Sequence, residues 1–190
     1  MDKLLKALFE KFDTNDEFIS FSIIEHGNIN KTYIINGVKD KYILQKINNF
    51  VFKDVEGLMS NISQVLSYTA EKGKKNTQLK LYNTKDGQSF YHSTDGYWRL
   101  FNFVPSTTYS VAPNKEIVYN TGKAFGEFQK MLSDFPAEEL TETIPGFHNT
   151  RKRLEKLFAD AETDKVGRVK EVKEDEVKEE VKEEPKTEED

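Results

Sequence analysis

The segment GNINKTYIINGVKDKYILQKIN, Gly27 to Asn48, opens on side chains that can meet an anion. Gly27 lets the chain turn. Asn28, Asn30 and Thr32 can hydrogen-bond through their side chains, and the amides of such a loop can converge on a negative charge. A plain hairpin turn is the bland alternative, because the loop has one glycine and not a G-x-G-x-x-G run. Further on, Gln45 and Lys46 follow the apolar pair Ile43-Leu44. A fixed cation there would neutralise phosphate charge. Adjacent strand residues point to opposite faces, so only one of Gln45 and Lys46 can share a face with the turn. Arg99, in YWRLFNFV, is a third candidate, either a ligand or a structural cation.

The elements that must hold these residues follow from apolar spacing. Leu4, Leu5, Leu8, Phe9 and Phe12 recur at helical intervals, so a short amphipathic helix packed on a sheet edge is expected at the start. EFISFSII alternates, with Ile19, Phe21 and Ile23 expected on one buried face. KTYIIN and KYILQKI are the next strands, with Asn36-Gly37 as a turn that tolerates positive φ. A helix capped by Asp54 follows, with Val55, Leu58, Ile62, Val65, Leu66 and Thr69 on one side and Gly73 as a left-handed C-cap. QLKLY, SFYHS and YWRLFNFV read as three further strands, with turns at Asp86-Gly87 and Asp95-Gly96. Asn114 starts a long helix whose stripe runs through Ile117, Val118, Ala124, Phe125, Phe128, Met131 and Leu132. Pro136 begins a short helical turn, and Asn149 caps a last helix.

Composition narrows the functions. The chain has 190 residues and a net charge of −5. Residues 164–190 hold twelve acidic and seven basic side chains, so residues 1–163 balance to zero. A balanced body gives no electrostatic case for nucleic acid or an anionic membrane as partner. The absence of cysteine excludes disulfides and thiolate metal sites and fits a reducing, cytoplasmic setting. Lys6, Glu10 and Lys11 rule out a signal-peptide core at the N-terminus, and no run approaches a membrane span. In the tail, Val169, Val172, Val177 and Val181 supply about one apolar residue per turn. That is too little to offset the ordering entropy, so a solvated tail is expected.

Three antiparallel strands, a helix, more strands, an extended segment and a long helix form the order of an α+β, protein-kinase-like small lobe with its hinge. The blocks GNINKTY, YILQKIN, VFKD, YWRLFNFV, GKAFGEFQKMLSDFPAEEL and ETIPGFHNT make the chain, from about Phe18 to about Lys173, resemble the N-terminal half of the aminoglycoside phosphotransferase (choline kinase-like) superfamily. They are most similar to its N-acetylhexosamine 1-kinase branch. The resemblance implies a two-lobed fold that uses ATP and magnesium to phosphorylate the anomeric hydroxyl of an N-acetylhexosamine. It implies that the first hairpin covers the nucleotide phosphates, and that the third strand carries a phosphate-binding lysine paired with an acid on the following helix. Phe103 and Val104, in the hinge, would offer backbone groups to adenine. Gapless matching puts Gln45 at the lysine position, while chemistry favours Lys46. The helix has Asn61 where an acid is needed.

The resemblance divides the chain into a small lobe at 1–104, a hinge loop and the first large-lobe helices at 105–163, and a charged tail at 164–190. His148 opens an HNT run, but Thr150 replaces the aspartate of a kinase catalytic loop and Glu155 stands where asparagine is needed. Asp134, in DFP, is not a D-F-G motif. No nucleophile triad or metal cluster is visible. The aspartate base and the magnesium ligands of such kinases lie in the large lobe, which this chain ends before. The expectation is therefore nucleotide binding, weak in this chain alone, without catalysis. Two classes of function stay open. One is part of a sugar kinase, a truncated product or half of a split enzyme completed by a separate C-terminal lobe. The other is a non-catalytic binding or regulatory module. Either leaves an apolar cleft face on the Gly122–Leu132 helix, expected to promote self-association or marginal stability.

Overall fold

The structure is a computed structural model and describes residues 1–25, 27, 29–72, 79–169 and 171. Two compact units divide the chain, Met1–Pro145 and Gly146–Asp190. The first contains helix α1 (Asp2–Phe9), strands β1 (Phe18–Ile24), β2 (Lys31–Gly37) and β3 (Lys41–Ile47), and helix α2 (Val55–Lys72). It continues with β4 (Leu81–Tyr82), β5 (Tyr91–Ser93), β6 (Gly96–Asn102), helix α3 (Lys115–Met131) and a 3₁₀ turn at Ala137–Glu139. The second contains helix α4 (Thr150–Thr163), capped by Asn149, whose side chain accepts from the Lys152 amide at 2.9 Å.

Six strands form one antiparallel sheet in the order β1-β2-β3-β6-β4, with β5 also on β6. A helix follows the third strand, and the whole is an α+β architecture. Strand alternation gives the sheet two apolar faces. Tyr33, Ile35, Tyr42, Leu44, Trp98 and Leu100 point to one, where Leu5, Leu8, Phe9 and Phe12 cover them. Ile47 and Tyr97 point to the other, where Val55 and Met59 of α2 pack with Leu58 and Ile62. Each large apolar side chain fully buried in this way contributes roughly 1.5–3 kcal/mol.

Several expectations change in three dimensions. The N-terminal helix lies over a sheet face and not only at an edge, because Phe9 meets Tyr42 of the central strand β3 with ring centres 5.1 Å apart, within one buried cluster. In β1 a register shift between Phe18 and Ser20 turns Ile19 out, leaving it 60% exposed. Ile23, on an edge strand, is 54% exposed, so Phe18 and Phe21 make the core contacts instead. Met59, absent from the expected stripe of α2, is fully buried. Asn36-Gly37 closes β2 and is not the turn itself. Gly37 is needed for close approach, since a Cβ there would stand 2.2 Å from an oxygen of Asp16. The Asp16 carboxylate accepts from the amides of Glu17, Lys39 and Asp40 and from the Tyr42 hydroxyl, which fixes the β2–β3 turn. Gly87 and Gly96 do take positive φ, at 83° and 123°, as their turns require.

Helix α3 begins where Asn114 caps it, its side chain accepting from the Ile117 amide at 2.9 Å. None of its residues is buried, and Phe125 and Phe128 are 66% and 44% exposed. The segment after it returns to α2. Lys72 pairs with Asp134, and the Tyr68 and Phe135 rings meet edge-on at 5.0 Å. The expected caps and strand residues at Gly73 and Gln78, and nearly all of the valine-bearing tail, lie outside the described residues.

Candidate functional site

The candidate residues separate by face. Thr32, Gln45 and Arg99 occupy one register row across β2, β3 and β6. They point to the side of the sheet that carries α2, because Arg99 also reaches the Met59 sulfur at 3.8 Å. Lys46 points to the opposite face, beside Trp98. The pleat separates the two: Gln45 shares a face with Thr32, whose hydroxyl bonds the Asn30 carbonyl in the turn, and Lys46 lies on the other face.

Hydrogen bonds run along this row. The Arg99 Nε–H donates to Gln45 Oε1 at 3.0 Å. Gln45 Nε2 donates to the Thr32 hydroxyl at 3.1 Å, and that hydroxyl donates to the Asn30 carbonyl at 3.4 Å. Thr32 is buried, while Gln45 and Arg99 are partly so. Desolvation lowers the Arg99 pKa to about 10, and among the described residues no carboxylate lies within ion-pair distance to offset it.

The turn is anchored to the sheet. Asn30 Oδ1 accepts from the Asn48 amide at 3.0 Å, and Asn48 Nδ2 donates to the Ile29 carbonyl at 3.2 Å. Asn30 thus spends its side-chain oxygen on holding the loop. Asn48 is the residue that sequence reasoning missed, and an asparagine directly after the third strand was its one visible signal. Gly27 is exposed, and a Cβ there would come 3.2 Å from the Asn30 carbonyl, so the turn is tight. Asn28 lies outside the described residues.

Lys46 has partners of its own. Its Nζ is 3.0 Å from Asp95 and 5.7 Å from the centre of the Trp98 ring. Asn61, at the level where an acid was sought on α2, bonds to Thr141 instead. A lysine–acid pair between β3 and α2 is therefore not built, since the lysine and the helix lie on different sides of the sheet. At the end of β6 the Phe103 amide donates to the Lys41 carbonyl at 3.0 Å. Its N–H extends the sheet, and the backbone groups it can offer a base reduce to its carbonyl. Val104 follows, 36% exposed.

Among the described residues no group of three or more histidine, aspartate or glutamate side chains is placed to hold a metal ion. The magnesium implied by the resemblance does not fit a site in these residues, and no step is routed through it. No described helix is long and apolar enough to cross a membrane.

Fold and site together define an α+β unit with a polar, singly cationic row beside a tethered turn. No protein-family model matches the sequence. Among solved structures, the chain is similar to spectinomycin phosphotransferase APH(9)-Ia, determined in complex with ADP and spectinomycin. The TM-score is 0.48 with 11% identity, over 68% of this chain and 36% of that one. The chain thus spans little more than a third of that protein's length. At this level the similarity carries no argument about substrate or family.

Proposed function

We propose that this chain supplies the nucleotide-binding small lobe of an ATP-dependent phosphotransferase that acts on the anomeric hydroxyl of an N-acetylhexosamine. The observation that carries the nucleotide part is the row Thr32–Gln45–Arg99, with a partly buried cation, running into the turn that Asn48 tethers at Ile29 and Asn30. The sugar part rests on the motif resemblance alone. In this reading the turn amides and Thr32 lie along the phosphates, and the Phe103 carbonyl and Val104 lie along the base. The chain binds without catalysing, the carboxylate base being supplied from outside the residues described.

Nitrogen–proton NMR spectra of the labelled chain with ATP test it. The expected result is millimolar-range, saturable shifts at Gly27, Thr32, Gln45, Phe103 and Val104. Unchanged spectra at ~10 mM ATP, a concentration at which even ~1 mM binding is nearly saturated, would overturn the nucleotide reading. Phosphorylation of N-acetylhexosamine by the purified chain with ATP and magnesium would overturn the non-catalytic part. The uncovered stripe on α3, with Phe125 and Phe128, is the surface on which a separate lobe or a second copy would dock. Sedimentation at rising concentration should show association that Phe125→Ser reduces, and a strictly monomeric chain would argue against it.

A further inference from the structure

The register row poses a charge problem. Arg99 is a permanent cation in a partly desolvated position. The partners that the described residues give it are a neutral amide at 3.0 Å, a thioether at 3.8 Å and the Phe101 ring at 5.1 Å. None carries a negative charge. Taking a cation even partly out of water without an anion is costly, and an anion brought to it offsets that cost. The other nearby cation of the strand pair, Lys46, is neutralised by Asp95 on the far face.

We propose that Arg99 is the phosphate-binding cation of this unit, carried on β6 in place of a lysine on β3, with Gln45 and Thr32 as its positioning residues. This rests on the nucleotide reading above and deepens it by naming the part of the ligand that is gripped, the polyphosphate of a nucleoside di- or triphosphate. The geometry gives each residue a distinct task. Thr32 hydrogen-bonds the Asn30 carbonyl and so accepts from the amide nitrogen of Gln45. That orientation turns the Gln45 oxygen toward Arg99, where it takes the Nε–H. Of the guanidinium, Nη1 already reaches the Met59 sulfur at 3.8 Å, so the N–H groups left for phosphate oxygens are those of Nη2 and the second proton of Nη1, donors that a planar guanidinium presents in a fixed plane and an ammonium does not. Because the row ends at Asn30, the turn and the cation are set by one hydrogen-bonded chain. The glutamine at the lysine position is thereby explained: it is neutral because the charge stands on the neighbouring strand.

The test uses the full chain with three probes, sodium tripolyphosphate, ATP and adenosine, and follows the Arg99 Nε–H resonance and the fitted affinities. In the wild type, tripolyphosphate and ATP should both shift that resonance. Arg99→Met should weaken both by about tenfold or more, the loss of one charged hydrogen-bonded contact, and leave adenosine unchanged. Arg99→Lys should recover only part. Gln45→Glu places a carboxylate against Arg99; it should raise the melting temperature while abolishing the tripolyphosphate response. That variant keeps the guanidinium, so it decides the matter if Arg99→Met does not fold. ATP binding indifferent to both substitutions would overturn the role of Arg99 and leave the nucleotide reading standing. An Arg99-dependent tripolyphosphate response without any ATP response would do the reverse. No response to either polyphosphate would sink both.

Discussion

Asn61 and Thr141 exchange two hydrogen bonds across a separation of 80 residues. Asn61 Nδ2 donates to the Thr141 carbonyl at 2.7 Å, and its Oδ1 accepts from the Thr141 amide at 2.9 Å. The side-chain amide imitates a strand neighbour and ties the segment after α3 to the middle of α2. Asn61→Leu should lower stability by about 1 kcal/mol, the net worth of such bonds when partly solvated. It should also speed hydrogen exchange at the Thr141 amide. An unchanged exchange rate would show that the contact holds nothing in place.

Gly57 lies one turn before Asn61 and makes the same docking possible. A Cβ there would stand 2.3 Å from an Asp54 oxygen and 2.9 Å from the Thr141 methyl carbon. The Asp54 carboxylate already accepts from the Gly57 amide at 2.8 Å. In an open helix, glycine to alanine gains about 1 kcal/mol. Here Gly57→Ala should destabilise, because it displaces both the cap and Thr141. A rise in melting temperature would contradict the packing.

Asp16 and Gly37 form a second matched pair. Asp16→Ala should cost about 1–2 kcal/mol by leaving the Lys39 and Asp40 amides and the Tyr42 hydroxyl without their acceptor. Burial works against the Asp16 charge, but the amides of Asp40, Glu17 and Lys39 and the Tyr42 hydroxyl outweigh it and lower its pKa. Gly37→Ala should also destabilise, since its Cβ would intrude on the Asp16 carboxylate. The two costs should not add, because removing the carboxylate clears the space. A double-mutant cycle measures this, and additive costs would be the contrary result.

The Asp134 carboxyl is held down to about 2 by hydrogen bonds from Lys72 first and Tyr68 second. A carboxylate with a lowered folded pKa contributes stability that is complete above its unfolded value, near 3.8. That contribution is lost as the pH falls from about 4 toward 2. The group is exposed, so the effect should appear as a local loosening of the α2 contact and not as global unfolding. A carboxyl-carbon NMR titration should place the Asp134 midpoint well below that of a free aspartate, and Lys72→Met should return it upward. A midpoint unmoved by that substitution would show that the pairing is not formed in solution.

Local pattern made much of this molecule legible. The caps at Asp54, Asn114 and Asn149 follow from a short polar side chain before an apolar-periodic run. The strands β2 and β3 follow from short runs of β-branched and aromatic residues bounded by turn signals. The turns at Gly87 and Gly96 follow from Asp-Gly pairs that tolerate positive φ. Alternation failed in β1, where one bulged residue reverses which side chains face in, and where the edge position leaves Ile23 uncovered.

Residue pattern alone sets an antiparallel α+β unit and allows only one of Gln45 and Lys46 onto the face of Thr32, because that choice is a matter of period. Tertiary structure decided which one. The β3–β6 register sets Gln45 beside Arg99 and Lys46 beside Trp98. That register depends on pairing residues more than fifty positions apart, which no local spacing encodes. The same holds for Asn61, whose partner is a backbone segment eighty residues away, and for Arg99, whose lack of a negative partner among the described residues is a property of the packed sheet and not of the string YWRLFNFV.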